Sequence, residues 1–379
     1  MRENKIKFLA KRFYFFFRRI FLFLFLCPLA GRKSHPPYGI EVKRILAIRI
    51  DRIGDIVVSM PALKALKAIF PYAKLSLLVA EGRQGLLKDI PWVDEVIILK
   101  GLRQTIEQLK EKKFDLAIDL LMDYTLKTAF IAHASKARFT MGFDIEGRGC
   151  FFNIKHKPTF LKQQMSRHIF GLARLVSQGF LGKDIAQPAD YCDILVSVER
   201  KERMKRLLKV KGVPDNELLI GIHPGAYYST QRWPLDRFGQ LAEEIVDKYQ
   251  VRVIILGSKE ESAVVERVFN ASKQKSVQVA GLKLDELVAM ISLLDIFICN
   301  NSGPMHIACS LGIPTVSTIG PTDSALWSPV GDKHIVVRKE LPCSPCSRSV
   351  CRLHDCMQII TIREMMAAVD TQMERLRRR

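Results

Sequence analysis

From Arg44 almost to its end, the chain alternates short apolar runs with stretches whose apolar residues recur at helical spacing. The runs 45–50, 75–80, 95–99 and 116–120 read as buried strands, and 55–70 and 165–178 as helices. After a connector at 184–193 and a charged helix at 198–210, a second series begins. Its strands are 219–223, 251–257, 277–280, 296–299 and 315–319. Its helices are 234–249, 260–272, 284–294 and 304–311, and a last helical pattern covers 362–377. Such alternation predicts parallel βαβ units, hence an α/β fold of two Rossmann-like, doubly wound domains. Ligands belong in the cleft beyond the carboxyl ends of the strands. The division predicted is 1–43, 44–210, 211–360 and 361–379.

The first 43 residues do not fit that pattern. Lys5, Lys7, Lys11, Arg12, Arg18 and Arg19 interleave with Phe8, Phe13, Tyr14, Phe15, Phe16 and Phe17, and 20–30 is almost wholly apolar. That run is short of the roughly 20 residues a span needs. Cys27-Pro-Leu-Ala-Gly-Arg32 makes a poor signal-peptide cleavage site. A basic, aromatic segment lying in the membrane interface fits best, followed by a linker around Pro36-Pro37.

Composition sharpens the picture. The chain has 379 residues and a formal net charge of +20, which favours polyanions such as anionic membrane or phosphorylated sugars. No nucleic-acid-binding motif accompanies the charge. The 9 cysteines are an odd number, and Cys299 and Cys309 sit in apolar runs, so a reducing compartment is expected.

One loop stands out. The run 296–299 ends in Asn300-Asn-Ser-Gly-Pro-Met-His306, and a short helix and another strand follow. Ser302 is placed to cap the helix, Pro304 suits its first turn, and Gly303 lets the backbone approach a ligand. Unpaired N–H groups and a partial positive charge then point at one spot, where an anion is stabilised. An ordinary, well-capped βα turn is the plain alternative.

Asn301-Ser-Gly-Pro-Met-His306 with Ala308, Gly312, Pro314 and Thr315 resembles the nucleotide-sugar motif of glycosyltransferase family 9, the ADP-heptose:lipopolysaccharide heptosyltransferases. Ile48-Arg-Ile-Asp-Arg-Ile-Gly-Asp55 with Pro61-Ala-Leu-Lys-Ala-Leu66 resembles the family's N-terminal loop. His223-Pro-Gly-Ala226 with Arg232-Trp-Pro234 resembles the start of its C-terminal domain. The three blocks stand in the family's order, and the likeness covers most of the chain after Val42. It implies the GT-B arrangement, with the last helix crossing back to the first domain.

The resemblance also suggests roles. Gly54-Asp55 matches the Gly-Asp loop whose Asp acts as base, so Asp55 is the catalytic candidate; its bland reading is a helix-capping carboxylate. Asp51, Arg52 and Gly54 complete an acceptor-side loop, with Asp51 positioning it. Ala226, Tyr227, Gln231 and Arg232 fall on the loop that holds the diphosphate. Gln231 stands where the family has Lys, and Arg232 is the substitute cation. Glu261 matches a nucleoside-binding Glu, with Glu260 beside it. Asn301 stands where the family has Asp. Ser302, Gly303, Pro304, Met305 and His306 complete the donor loop, His306 meeting a phosphate or orienting the loop.

Cys343, Cys346, Cys351 and Cys356 form a cluster that reads as a structural metal site or as free or paired thiols. The Asp-x-Asp motif of metal-dependent transferases, a P-loop, His-Glu-x-x-His and Gly-x-Gly-x-x-Gly are all absent from the sequence. A catalytic metal is therefore not required, and the enzyme that the resemblance implies is an inverting one. It moves heptose from ADP-heptose to a lipid A or inner-core sugar at the inner face of the cytoplasmic membrane. A family 9 transferase with another donor or acceptor, or a non-catalytic nucleotide-sugar binder, remains the alternative.

Overall fold

The computed structural model describes residues 13–22, 24, 39–158, 162–186, 189–215 and 217–378. Strands β1 (Arg44–Ile48), β2 (Lys74–Ala80), β3 (Glu95–Leu99), β4 (Leu116–Asp119), β5 (Phe139–Phe143) and β6 (Ile154–His156) form one sheet. Strands β7 (Leu219–His223), β8 (Arg252–Leu256), β9 (Val277–Val279), β10 (Ile296–Asn300), β11 (Thr315–Ile319) and β12 (His334–Arg338) form another. Every pairing is parallel, and the orders are β3-β2-β1-β4-β5-β6 and β12-β11-β10-β7-β8-β9. Read from its first strand, each sheet has the same doubly wound order, so each has a switch point where the winding reverses. These lie between β1 and β4 and between β7 and β10. The expected two Rossmann-like domains are present.

Central strands are buried from end to end, as parallel sheets covered on both faces require. One apolar core runs without a break from β1, β2 and the Ile53–Ile69 helix to Phe297, Met305 and Ala308 of the second domain. The domains are thus packed on each other. The charged Val198–Val210 helix packs against Leu284–Ile291, and its Arg200 bonds the Asp285 carbonyl at 2.6 Å.

The last helix, Ile362–Arg377, departs from the family expectation of a return to the first domain. Its stripe Met365, Val369 and Met373 lies in the second-domain core with Trp233 and Phe238. Gln372 bonds the carbonyls of Thr315 and Lys333 at 3.1 and 2.8 Å. An apolar face at helical spacing finds its complement beside β11 and β12, and that holds the helix where the chain emerges.

Of the N-terminal segment, 13–21 is helical. The basic stretch before Phe13, the run from Phe25 to Ala30 and the 31–38 linker lie outside the described residues. Among the described residues no helix is long and apolar enough to cross a membrane.

Candidate active site

The two switch points bring four loops together, those after β1, β4, β7 and β10. Arg49, directly after β1, is buried and organises the first loop. Its guanidinium donates to the Leu120 carbonyl at 2.5 Å, the Asp55 carbonyl at 3.1 Å and Asp55 Oδ1 at 3.1 Å. It also lies 3.2 Å from Asp51 Oδ1. Asp55 sits in the first turn of the Ile53–Ile69 helix, where a carboxylate is favoured, and its side chain is 15 % exposed. Burial pushes the Asp51 carboxyl up to about 7; Arg49 opposes this, and the nearby Asp55 and Asp123 reinforce it. Asp119 ends β4, fully buried and ion-paired to the fully buried Arg148.

Across from this loop, the Gly303–Ser310 helix starts at Ser302. Gly54 and Gly303 abut. A Cβ on Gly303 would lie 3.1 Å from the Gly54 nitrogen and 3.1 Å from Ile53 Cβ, and one on Gly54 would lie 2.9 Å from His306 Cδ2. Two helix N-termini, one from each domain, therefore converge. Gly303 had been expected to make room for a ligand; the structure gives that room to the facing helix. The space between the two glycines is therefore filled by protein. Gly303→Val is expected to force the two helix starts apart and weaken ADP binding. Calorimetry checks it, and unchanged affinity in a folded variant would remove this loop from the donor site.

Several expected donor contacts are already committed within the protein. His306 is buried, its Nδ1 2.9 Å from Tyr191 Oη and its ring edge-on to Trp327. Burial lowers its pKa to about 4, so it is neutral at physiological pH and brings no cation to a phosphate. Pro304 and Met305 are buried. The Ser302 hydroxyl makes no capping bond; it is buried without a partner among the described residues, which leaves it available to an incoming oxygen. Asn301 Nδ2 donates to the Trp327 carbonyl at 2.8 Å, a bond the family's Asp could not make. Arg232 donates through Nε and Nη2 to the Ala226 carbonyl at 2.9 and 2.7 Å, so its fork braces its own loop. Gln231 bonds Thr322 Oγ1 at 3.0 Å, a neutral link where the family has a charge.

Glu261 lies within 3.3 Å of His223 Nε2 and accepts from the Ser258 N–H at 2.9 Å. Burial alone would raise its pKa, but the His223 and Ser258 contacts outweigh this and hold it at about 2. It packs over Gly225, where any side chain would strike its carboxylate. Tyr227 is 70 % exposed and, with Tyr228, stacks on the Arg52 guanidinium at 4.5 and 4.7 Å. Arg52 Nη2 also donates to Tyr228 Oη at 2.8 Å, which ties the acceptor-side loop to the donor-side loop.

The sequence reading missed the residue that joins these loops. Asn300, fully buried at the end of β10, donates to the Pro224 carbonyl at 2.8 Å and accepts from the Trp233 N–H at 2.8 Å and Thr318 Oγ1 at 2.9 Å. Its place beside the motif was visible, but a single Asn at a strand end carries no periodic signal.

The cysteine cluster lies against the same loops. Cys343, Cys346, Cys351 and Cys356 are free thiols, and burial, with the three neighbouring thiols, pushes Cys356 up to about 11. Among the described residues no group of three or more His, Cys, Asp or Glu is arranged to hold a metal ion. The segment braces the loop after β7. The Arg348 carbonyl accepts from Thr230 Oγ1 at 2.7 Å, and His354 Nε2 donates to the Thr230 carbonyl at 2.7 Å.

The His306 environment predicts a pH effect. Its folded pKa of about 4 lies below the ordinary histidine value of 6.5, so between these values the unfolded chain binds more protons. Stability from this group is complete above 6.5 and falls as pH drops through the window, by on the order of 3 kcal/mol in all. Asp51 acts with the opposite sign, since its proton is held by the fold. The comparison is therefore with His306→Gln, whose urea-unfolding free energy should fall less between pH 6.5 and 4 than that of the wild type.

Comparison with known proteins matches this arrangement. The chain is 25% identical over 319 residues to lipooligosaccharide heptosyltransferase 2 of Campylobacter jejuni, covering 81% of this chain and 92% of that protein. The solved structure of E. coli ADP-heptose LPS heptosyltransferase II superposes with a TM-score of 0.74 at 23% identity, covering 88% of this chain and 99% of that one. A glycosyl transferase family 9 structure from Veillonella parvula gives 0.76 at 20% identity, covering 88% and 98%. The model for glycosyltransferase family 9 (heptosyltransferase) matches residues 102–357, from the end of β3 through the donor loops to the cysteine segment. With two doubly wound domains and a family match over more than half of its length, the chain belongs to glycosyltransferase family 9, the heptosyltransferase family.

Proposed function

We propose that the protein is an inverting, metal-independent heptosyltransferase. It moves heptose from ADP-heptose to a lipid A-linked inner-core sugar of lipopolysaccharide at the inner face of the cytoplasmic membrane. The observation that carries this reading is the Gly54–Gly303 contact, which sets Asp55 one residue from the donor loop. The names of the E. coli and Campylobacter relatives support this choice of sugar, nucleotide and class of acceptor.

In the step proposed, Asp55 takes the proton of an acceptor hydroxyl. The oxygen attacks the anomeric carbon on the face opposite the diphosphate, the C–O bond to phosphate breaks, and ADP leaves. Charge growing on the leaving phosphate meets the N–H groups at the start of the Gly303–Ser310 helix and the Ser302 hydroxyl. Arg49 keeps the base in place and Arg52 holds the two loops together.

The test is to incubate purified protein with a panel of nucleotide sugars and core acceptors, in chelator, and to measure released nucleotide diphosphate. ADP from ADP-heptose, dependent on acceptor, supports the proposal. Release from another donor alone assigns a different family 9 transfer, and binding without release assigns a nucleotide-sugar binder.

A further inference from the structure

We infer that helix 13–21 is a membrane-facing element fixed to the acceptor-side rim of the cleft, and that its partner is an anionic lipid surface. One face of the helix is docked on the protein. Phe15 and Leu22 are buried, and the Phe15 ring meets Tyr124 edge-on at 5.2 Å. Leu22 Cδ1 lies 2.9 Å from where a Cβ on Gly147 would stand, so the bare glycine lets Leu22 pack closely there. Two arginines flank this face. Arg18 Nη2 donates to the Tyr124 carbonyl at 2.6 Å, and Arg19 pairs with Glu146 at 2.6 Å.

The docking site lies at the cleft. Tyr124 follows β4, and Glu146 and Gly147 follow β5. These are carboxyl ends of parallel strands, the same edge of the sheet from which Asp51 and Asp55 project.

The opposite face is apolar and exposed. Phe13, Phe16, Phe17, Ile20 and Leu24 recur at helical spacing, on the far side from Phe15 and Leu22. A soluble surface does not ordinarily gather so many aromatics in one stripe. Among the described residues no helix is long and apolar enough to cross a bilayer; lying on the surface, this one sets its aromatics at headgroup depth. Charge agrees: Lys5, Lys7, Lys11 and Arg12 precede the helix in a chain of net charge +20, and basic residues near an anionic surface are attracted to it. Because the inner face is anchored, lipid contact also sets the direction of the cleft. This orienting role rests on the lipid-borne acceptor proposed above; lipid binding itself does not.

The test floats full-length protein with vesicles of phosphatidylglycerol and phosphatidylethanolamine. The wild type is expected to float. The outward variant Phe13→Ser/Phe16→Ser/Phe17→Ser/Ile20→Ser should lose at least about tenfold in bound fraction with unchanged thermal unfolding. The undocked variant Phe15→Ala/Leu22→Ala should still float. It should turn over a short soluble acceptor normally but transfer several-fold more slowly to acceptor embedded in the vesicles. An outward variant that floats like the wild type overturns the inference. So does a wild type that dimerises through this face without lipid, with the outward variant monomeric. An undocked variant at full rate on embedded acceptor overturns the orienting role. Flotation uses no donor, so its result stands apart from the identity of the sugar transferred.

Discussion

Asp55→Asn loses about 10²- to 10⁴-fold in turnover while folding and ADP affinity are kept, the range expected when a positioned general base is removed. Asn retains the shape and can still accept from Arg49 through its amide oxygen, so the loop's geometry survives. What disappears is the basic oxygen. Asp51→Asn is the companion measurement, because Asp51 holds its proton up to about 7 and shares Arg49. Released ADP gives the rate and calorimetry gives the affinity. Near-normal turnover in Asp55→Asn, with the loss transferred to Asp51→Asn, would move the base from one end of the loop to the other.

The second large effect is on stability. Arg148→Met is expected to cost about 3–5 kcal/mol, the usual consequence of stranding a buried charge. Arg148 is fully buried, ion-paired to Asp119, and donates to the carbonyls of Leu121 and Asp123, both at 2.6 Å. Burial already raises the Asp119 pKa against the pull of Arg148. Without the arginine, Asp119 keeps its proton to higher pH, and the variant should weaken further as pH rises and ionisation is forced. Asp119→Leu/Arg148→Met removes both charges and should recover part of the loss. Urea unfolding of the two singles and the double gives the coupling. A single variant as stable as the wild type would mean that the pair is dispensable.

The fold was legible because parallel, doubly wound sheets write themselves as buried runs separated by helical patterns. β1, β2, β7, β10 and β11 all fall where apolar runs predicted them. β5, β6 and β12 went unassigned. Phe139-Thr-Met-Gly-Phe143 contains a glycine and a threonine, and Ile154-Lys-His156 is too short for any period to register. The site was legible in its backbone and not in its side chains. Gly54 and Gly303 stand out in the sequence and do abut, with Asp55 next to Gly54 in the chain. Arg49, Arg148 and Asn300 were passed over, because a buried polar residue has no pattern; its meaning lies in partners distant in sequence. Arg49 was read as one more residue of an apolar strand. The roles expected of His306 and Arg232 changed for the same reason: Tyr191 and the Ala226 carbonyl claim them first.

The docked N-terminal helix also has a consequence for biogenesis. It is made well before its anchoring points: Tyr124 lies 106 residues after Arg18, and Glu146 lies 127 residues after Arg19. At roughly 5–20 residues per second, a ribosome takes on the order of 5–20 s to supply the first of them. Throughout that interval both faces of an aromatic, basic helix are uncovered on a nascent chain. The bilayer is then a competitor for Phe15 and Leu22 as well as for the outer stripe, and the growing domain has to win those two residues back. On the lipid-binding role proposed above, attachment precedes folding, and the first domain assembles already at the surface.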